Sequence, residues 1–450
     1  MADTPLFDAM ARLRAKGFAP YHMPGHKGNM PPPLREAAPW DITEIDGADS
    51  LYECDGPIRE IEHRLSLAYN SGDSLLSAGG SALCIQTMLY MASQYGRTMI
   101  ASRTIHRSAV SAMGLLGIIP VWVECPVSDG KDGGIKGVAL PPRAEDIERA
   151  ISEHPDAVAV YITSPDYFGQ IADIGDISYL CHQHRKMLLV DNAHGAHLHR
   201  FHMPLHPISL GADICADSLH KTLPALTGAA ALHLSNAALY EDAKYAMSLF
   251  GSTSPSYLIM LSADMALSEI ESMDTRYIDL GTRIDRLKTA AESRGFGVVR
   301  SWICDPVRLV IDFTKAEYSR NGFTKYIKAE GVEPEYMADN VCVFMVTPYN
   351  TEEQLQKLER VIGMAPRGRA AFPYQLPPPV PLPRAILTVA EAMARPSRKI
   401  RVEDAAGHVS ARLVSRCPPG IPVLVPGEEI TPPLQDLLKI SGIDEVFVVK

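Results

Sequence analysis

Between about residues 75 and 235, short apolar runs alternate with stretches of helical spacing, the rhythm that a parallel α/β sheet requires. The apolar runs predict strands at Thr98–Ser102, Ile118–Glu124, Ala157–Thr163, Lys186–Val190, Ile214–Ala216 and Ala229–Leu234. Between them, Arg143–Glu153 and Ile177–His184 place apolar residues at helical intervals. Open parallel sheets bind ligands beyond the carboxyl ends of their strands, so the residues that follow these runs are the first to read for chemistry.

The texture changes after about residue 260. A long helical stretch, Met260–Arg294, leads into strands at Val298–Trp302 and Arg308–Asp312, a helix near Phe323–Ala329 and a strand at Cys342–Val346. The proline-dense segment Phe372–Arg384 reads as extended and stiff. Beyond it the pattern predicts a helix ending near Ser415, the turn Cys417-Pro-Pro-Gly-Ile-Pro422 and a terminal strand Asp444–Lys450. The expected organisation is an α/β major domain over 1–260, a smaller α+β domain over 261–370, a linker over 371–383 and a C-terminal α+β domain over 384–450.

Composition narrows the functional classes. With 450 residues, 46% of them hydrophobic and 21% charged, the chain can bury a large core. A net charge of −10 argues against nucleic acid as a main partner, because binding the phosphate backbone needs a basic surface. Eight dispersed cysteines without a Cys-x-x-Cys pair read as reduced thiols of a cytoplasmic protein. The first sixteen residues form an amphipathic pattern unlike a signal peptide, and the longest apolar run, Leu115–Val123, is far shorter than the roughly 20 residues that span a bilayer.

Three segments offer chemistry. Ser77-Ala-Gly-Gly-Ser81 precedes a helical apolar pattern; it is either a phosphate cradle at a helix N-terminus or a plain turn with Ser81 as N-cap. The run Met187–Val190 ends in Asp191, an acid that either reaches into the ligand crevice to hold a protonated ring nitrogen or caps its own loop. Thirty residues on, Ser218-Leu-His-Lys-Thr222 follows another apolar run, and Lys221 is either a desolvated amine able to form an imine or a solvated surface lysine. What distinguishes these alternatives is the order of all three within one α/β stretch.

With Met23-Pro-Gly-His-Lys-Gly28, Ile105-His-Arg-Ser108, Ser164-Pro-Asp-Tyr-Phe-Gly169, Asp191-Asn-Ala-His194 and Thr253-Ser-Pro-Ser-Tyr257 in the same order, the chain resembles the bacterial ornithine/lysine/arginine decarboxylases. These are aspartate-aminotransferase-like (fold type I) pyridoxal 5′-phosphate (PLP) enzymes. The resemblance implies a PLP-binding major domain and decarboxylation of arginine, lysine or ornithine to a polyamine-type amine. It implies Lys221 as the Schiff-base lysine, Asp191 as the partner of the pyridine nitrogen and His106 as the imidazole stacked on the ring. Gly80, Ser81, Ala82, Ser218 and His220 fall on the phosphate side, with His194 near the cofactor. Thr253 reaches the phosphate of a neighbouring subunit, which implies a homodimer with shared sites. The chain begins almost at Met23-Pro-Gly-His-Lys-Gly28, as in short members without an N-terminal wing domain, so large wing-mediated assemblies are not expected. Lys221 and His106 are both candidates for returning a proton to the substrate's α-carbon.

Departures from the family pattern are Ala82 in place of threonine, Asn192 in place of an acid, Arg107 in place of lysine and Cys417 in place of tyrosine. Competing readings are another fold type I reaction, an aminotransferase or lyase, and a non-catalytic regulatory homologue. His197, His199, His202 and His206 cluster without carboxylate or cysteine partners, so surface or interface positions are expected for them and no metal site. Leu258, Leu261 and Met265 read as core or interface, and Glu333, Glu335 and Asp339 as solvated surface.

Overall fold

The computed structural model describes residues 4–131, 134–300, 303–338, 340–368, 381–415 and 422–450. In chain order it contains α1 (Pro5–Ala15), α2 (Pro57–Tyr69), β1 (Asp73–Ser77), α3 (Gly80–Ser93), β2 (Thr98–Ser102), α4 (Arg107–Leu116), β3 (Ile119–Val123), α5 (Ala144–Glu153), β4 (Ala159–Thr163), α6 (Ile174–Gln183), β5 (Met187–Asp191), β6 (Ile214–Asp217), the single turn α7 (Leu219–Thr222) and β7 (Ala230–Leu234). There follow α8 (Tyr240–Ser248), α9 (Tyr257–Ser268), α10 (Ile270–Ser293), β8 (Gly297–Val298), β9 (Arg308–Asp312), α11 (Arg320–Ala329), β10 (Tyr336–Met337), β11 (Val341–Met345), α12 (Glu352–Gly363), α13 (Val389–Ala394), β12 (Ser397–Arg401), β13 (Val414–Ser415), β14 (Pro422–Leu424), α14 (Pro432–Ile440) and β15 (Glu445–Val449).

The chain forms two compact units, one of residues 1–91 and 187–278, the other of residues 92–186 and 279–450. In the first, the strands lie in the order β1-β7-β6-β5. β5 and β6 run parallel, whereas β7 is antiparallel to both β6 and β1. The run Leu188-Leu-Val190 is fully buried, as befits a strand covered on both faces. Helix α1 starts on Pro5, whose missing N–H costs nothing in a first turn. Its N-terminal amides at Leu6 and Phe7 donate to Asp264 of α9, at 3.0 Å each.

In the second unit β4, β2 and β3 pair in parallel. The turn Asp166–Gln170 after β4 meets the four-stranded antiparallel sheet β10-β11-β9-β8: Gly169 accepts the Asp305 N–H at 2.7 Å, and a Cβ on Gly169 would stand 2.7 Å from Arg308. The residues after position 380 fold around a core that includes Val402, Leu424, Ile430, Leu438 and Val448. Here Arg103 and Glu428 form a buried two-point ion pair at 2.7 and 2.9 Å, and α13 packs on α4 so closely that a Cβ on Gly114 would lie 2.2 Å from Met393 Sδ.

Several expectations need correction. The stretch 260–294 is not one helix: α9 and α10 meet at a break around Glu269. No helix ends near Ser415, since Val414–Ser415 is β13, and the helices of this region are α13 and α14. The strand expected at Val298–Trp302 covers Gly297–Val298, and Trp302 lies outside the described residues, as do Asp339 and Cys417 to Ile421. Leu258 and Leu261 are half-buried and Met265 exposed, so of the two readings, core or interface, the core one is corrected: the buried face of α9 is Tyr257, Met260, Ala263 and Leu267. His197 and His206, expected at the surface or an interface, are fully buried within the chain, while His202 is exposed. Glu333 and Glu335 are exposed, as expected, and Glu335 also accepts the Tyr167 hydroxyl at 2.9 Å.

Candidate active site

The site is built where β5, β6 and α3 end or begin within the first unit. Lys221 sits on α7, one turn of helix directly after β6, and its Nζ is 3.0 Å from His194 Nε2. As an ammonium Lys221 can only donate, so His194 accepts at that nitrogen. His194 lies three residues past the end of β5, on the turn that Asp191 begins. Asp191 is buried, and its Oδ1 accepts the Ala193 N–H at 3.1 Å, so it does cap its own loop.

The cradle expected at residues 77–82 is the beginning of α3. The helix starts at Gly80, which places Ser81 inside the first turn rather than at the N-cap. Gly80 takes φ +69°, a conformation that favours glycine, and a Cβ added there would meet nothing within 4 Å. The Ser218 hydroxyl donates to the Ser81 hydroxyl at 2.8 Å, which brings β6's end to the start of α3. His220 Nδ1 donates to the Ala229 carbonyl at 3.0 Å, fixing the ring with Nε2 unprotonated when the imidazole is neutral. Ala82 adds no side-chain donor, and Thr253 stands on the exposed turn ahead of α9. His106, in the second unit, is the exposed N-cap of α4, where its Nδ1 accepts the Ser108 N–H.

A phosphorylated aldehyde with a basic ring nitrogen fits this donor set. First-turn amides and two hydroxyls suit an anion, a half-buried amine suits an aldehyde, and a buried carboxylate suits a ring cation.

Residues 4–348 match the model of the Orn/Lys/Arg decarboxylase major domain, and residues 371–443 that of the family's C-terminal domain. The chain belongs to the Orn/Lys/Arg decarboxylase family. It is similar to an arginine decarboxylase of Bacillus subtilis, 28% identical over 95% of this chain and 91% of that one. Among solved structures, the constitutive lysine decarboxylase of E. coli shares the fold at a TM-score of 0.77, with 18% identity over all of this chain and 82% of the other. A structure of SPT with PLP aligns at 0.54, with 14% identity over 68% of this chain and 75% of the other. The fold is therefore that of the fold type I PLP enzymes, and the chain is a PLP-dependent decarboxylase of a basic amino acid. Among the described residues, no helix is long and apolar enough to cross a membrane.

Reading the sequence alone missed Asp217. It is fully buried at the end of β6 and accepts Asn192 Nδ2 at 2.7 Å and His206 Nε2 at 3.0 Å, with His233 Nε2 at 3.4 Å. Burial pushes its carboxyl up, but the charges and hydrogen bonds of His206 and His233 outweigh this and hold it well below the usual carboxylate range. The available signal was an acid between Ala216 and Ser218, closing an otherwise apolar run.

Proposed function

We propose that Lys221, Asp191 and the start of α3 hold PLP and that the chain removes the α-carboxylate of arginine in preference to lysine or ornithine, giving a polyamine-type amine and carbon dioxide. The observation that carries the reading is the Lys221 to His194 contact at 3.0 Å on a turn that also bears the buried Asp191. The arginine preference is supported by the name of the Bacillus subtilis relative.

Bound PLP supplies a covalent tie to an amine and a ring that accepts the electrons of the broken bond. Asp191 keeps a proton on the ring nitrogen, because a carboxylate in a buried place stabilises an adjacent cation. Ser81, Ser218, His220 and the backbone at Gly80 and Ala82 take the phosphate. His194 orients the Lys221 amine and gives it a proton relay, so that Lys221 can return a proton to the α-carbon after carbon dioxide leaves.

A cytoplasmic homodimer completes the reading. Thr253 is exposed, as a residue serving a partner's phosphate would be, and the large apolar Phe18 and Tyr21 are also exposed, which suits a surface covered by a second copy. The test is side-by-side release of carbon dioxide and amine from arginine, lysine and ornithine. Faster turnover of arginine is expected; faster turnover of lysine or ornithine overturns the substrate assignment, and amino transfer without carbon dioxide overturns the reaction.

A further inference from the structure

We infer that Asp217 is a positioning residue for the Lys221 site, pinning through Asn192 the turn that carries Asp191 and His194. The inference rests on the reading of Lys221 and His194 just given. Asp217 Oδ1 accepts Asn192 Nδ2 at 2.7 Å, and the Asn192 N–H donates to the Ala216 carbonyl at 2.9 Å, so two bonds tie the end of β6 to the residue after Asp191. The Asn192 carbonyl in turn accepts the Gly195 N–H at 2.8 Å, closing the turn on which His194 stands. On the other side Asp217 is followed directly by Ser218 and α7, which bears Lys221. One fully buried carboxylate therefore sets the separation of the two chain segments whose side chains meet at 3.0 Å.

The surroundings hold Asp217 ionised and immobile. Oδ2 receives His206 from the segment before β6 and faces His233 of β7, whose Nδ1 is 2.8 Å from Ser74 Oγ of β1. Tyr69 of α2 packs its ring at a tilt against both imidazoles, with centroids 5.0 and 4.3 Å away, and its hydroxyl donates to the Ala196 carbonyl beyond the turn. The other ionisable groups that feel this carboxylate are Cys215 on β6, Cys84 on α3, His199 after the turn and the Tyr69 hydroxyl. His206, Asp217 and His233 place one ligand atom each within 4.8 Å, as a metal site would, but Asp217 already receives protein donors at both oxygens. A carboxylate so satisfied anchors neighbours without needing a cation.

The test uses the full chain with PLP, as wild type, Asn192→Ala, Asn192→Asp and Asp217→Asn. In Asn192→Ala the amides of 192–197 should exchange with deuterium about tenfold faster or more while those of β6 and β7 keep their rates. Its kcat should fall about tenfold or more, with KM changed less than about threefold. Asn192→Asp sets two carboxyls against each other; one of them must take a proton, which restores the lost donor. Its kcat relative to wild type should therefore rise as pH is lowered from about 8 to about 6, while the ratio for Asn192→Ala stays flat. If Asp217→Asn does not fold, the Asn192 pair decides alone. Wild-type exchange and kcat in Asn192→Ala, or a flat ratio for Asn192→Asp, overturns the inference. So does one tightly held metal ion per chain that Asp217→Asn loses, which would make the cluster a metal site. Failure of the underlying reading would show separately, as borohydride failing to fix PLP to Lys221 in the wild type.

Discussion

Lys221 Nζ and His194 Nε2 stand 3.0 Å apart, although 27 residues separate them, because the loops after β5 and β6 leave neighbouring parallel strands at the same edge. An amine held by an imidazole cannot swing freely, and its proton has a defined neighbour. Replacing His194 with alanine should leave the cofactor bound and lower kcat by about 10²- to 10⁴-fold, the range over which positioned proton transfer contributes. Carbon dioxide release under saturating substrate checks this.

Lys221→Ala should lose the cofactor that borohydride fixes to the wild-type chain. Peptide mass analysis locates the fixed group, and its appearance on another lysine would remove Lys221 from the centre of the site.

Asp191→Asn keeps the bond from Ala193 available, since the amide oxygen still accepts, and so should preserve the turn. It removes the negative charge that supports a ring cation. PLP binding is expected to persist while turnover falls by about 100-fold or more, as loss of a preorganised charge does elsewhere. Near-normal turnover would leave Asp191 as a loop cap alone.

The His199 imidazole is pushed down to about 3, by burial first and then by its neighbours His206, Arg200 and His233. It is neutral in the folded chain while the unfolded chain takes up a proton near its ordinary value of 6.5. Its contribution to stability is thus fully present above about pH 6.5 and is lost as pH falls toward about 3. Asp217, also held low, adds a loss at the acid end of that window, as its carboxyl takes up a proton more readily unfolded than folded. The melting temperature of the wild type should fall through this range, and His199→Gln should fall less steeply. Parallel curves would show that His199 titrates alike in both states.

Mixing inactive Lys221→Ala chains with inactive Thr253→Ala chains tests the shared site. A mixed dimer would contain one site with both lesions and one with neither, so activity should return as subunits exchange. Heterodimers that form without any return of activity would place Thr253 in its own subunit's site.

Much of this architecture is legible in the sequence where burial and hydrophobicity coincide. Thr98–Ser102 and Arg308–Asp312 are strands over the bounds that their apolar runs suggest. β1 escaped because three of its five residues are polar: Asp73 is buried against Arg59 at 2.7 Å and Ser74 against His233 at 2.8 Å. Partners so distant in sequence leave no periodic trace. The same holds at the site. Lys221, Asp191 and Ser81 stand out by their order along the chain, whereas Asp217 gains its meaning only from Asn192, His206 and His233, which three other segments bring to it. α9 and α10 share one continuous apolar rhythm, and a break between two helices in register leaves the hydrophobic pattern almost unchanged.

The contact between Gly114 and Met393 makes α4 and α13 matched parts. A relative's C-terminal region transplanted here would arrive with its own side chain where Met393 fits against a bare backbone, and with its own answer to the buried Arg103 in place of Glu428. Hybrids joined between residues 368 and 384 should therefore succeed only when α4 and Arg103 travel with the C-terminal residues. Recombination would then respect a boundary that the order of domains along the chain does not reveal: 103–116 is inherited with 384–450, across more than 250 intervening residues.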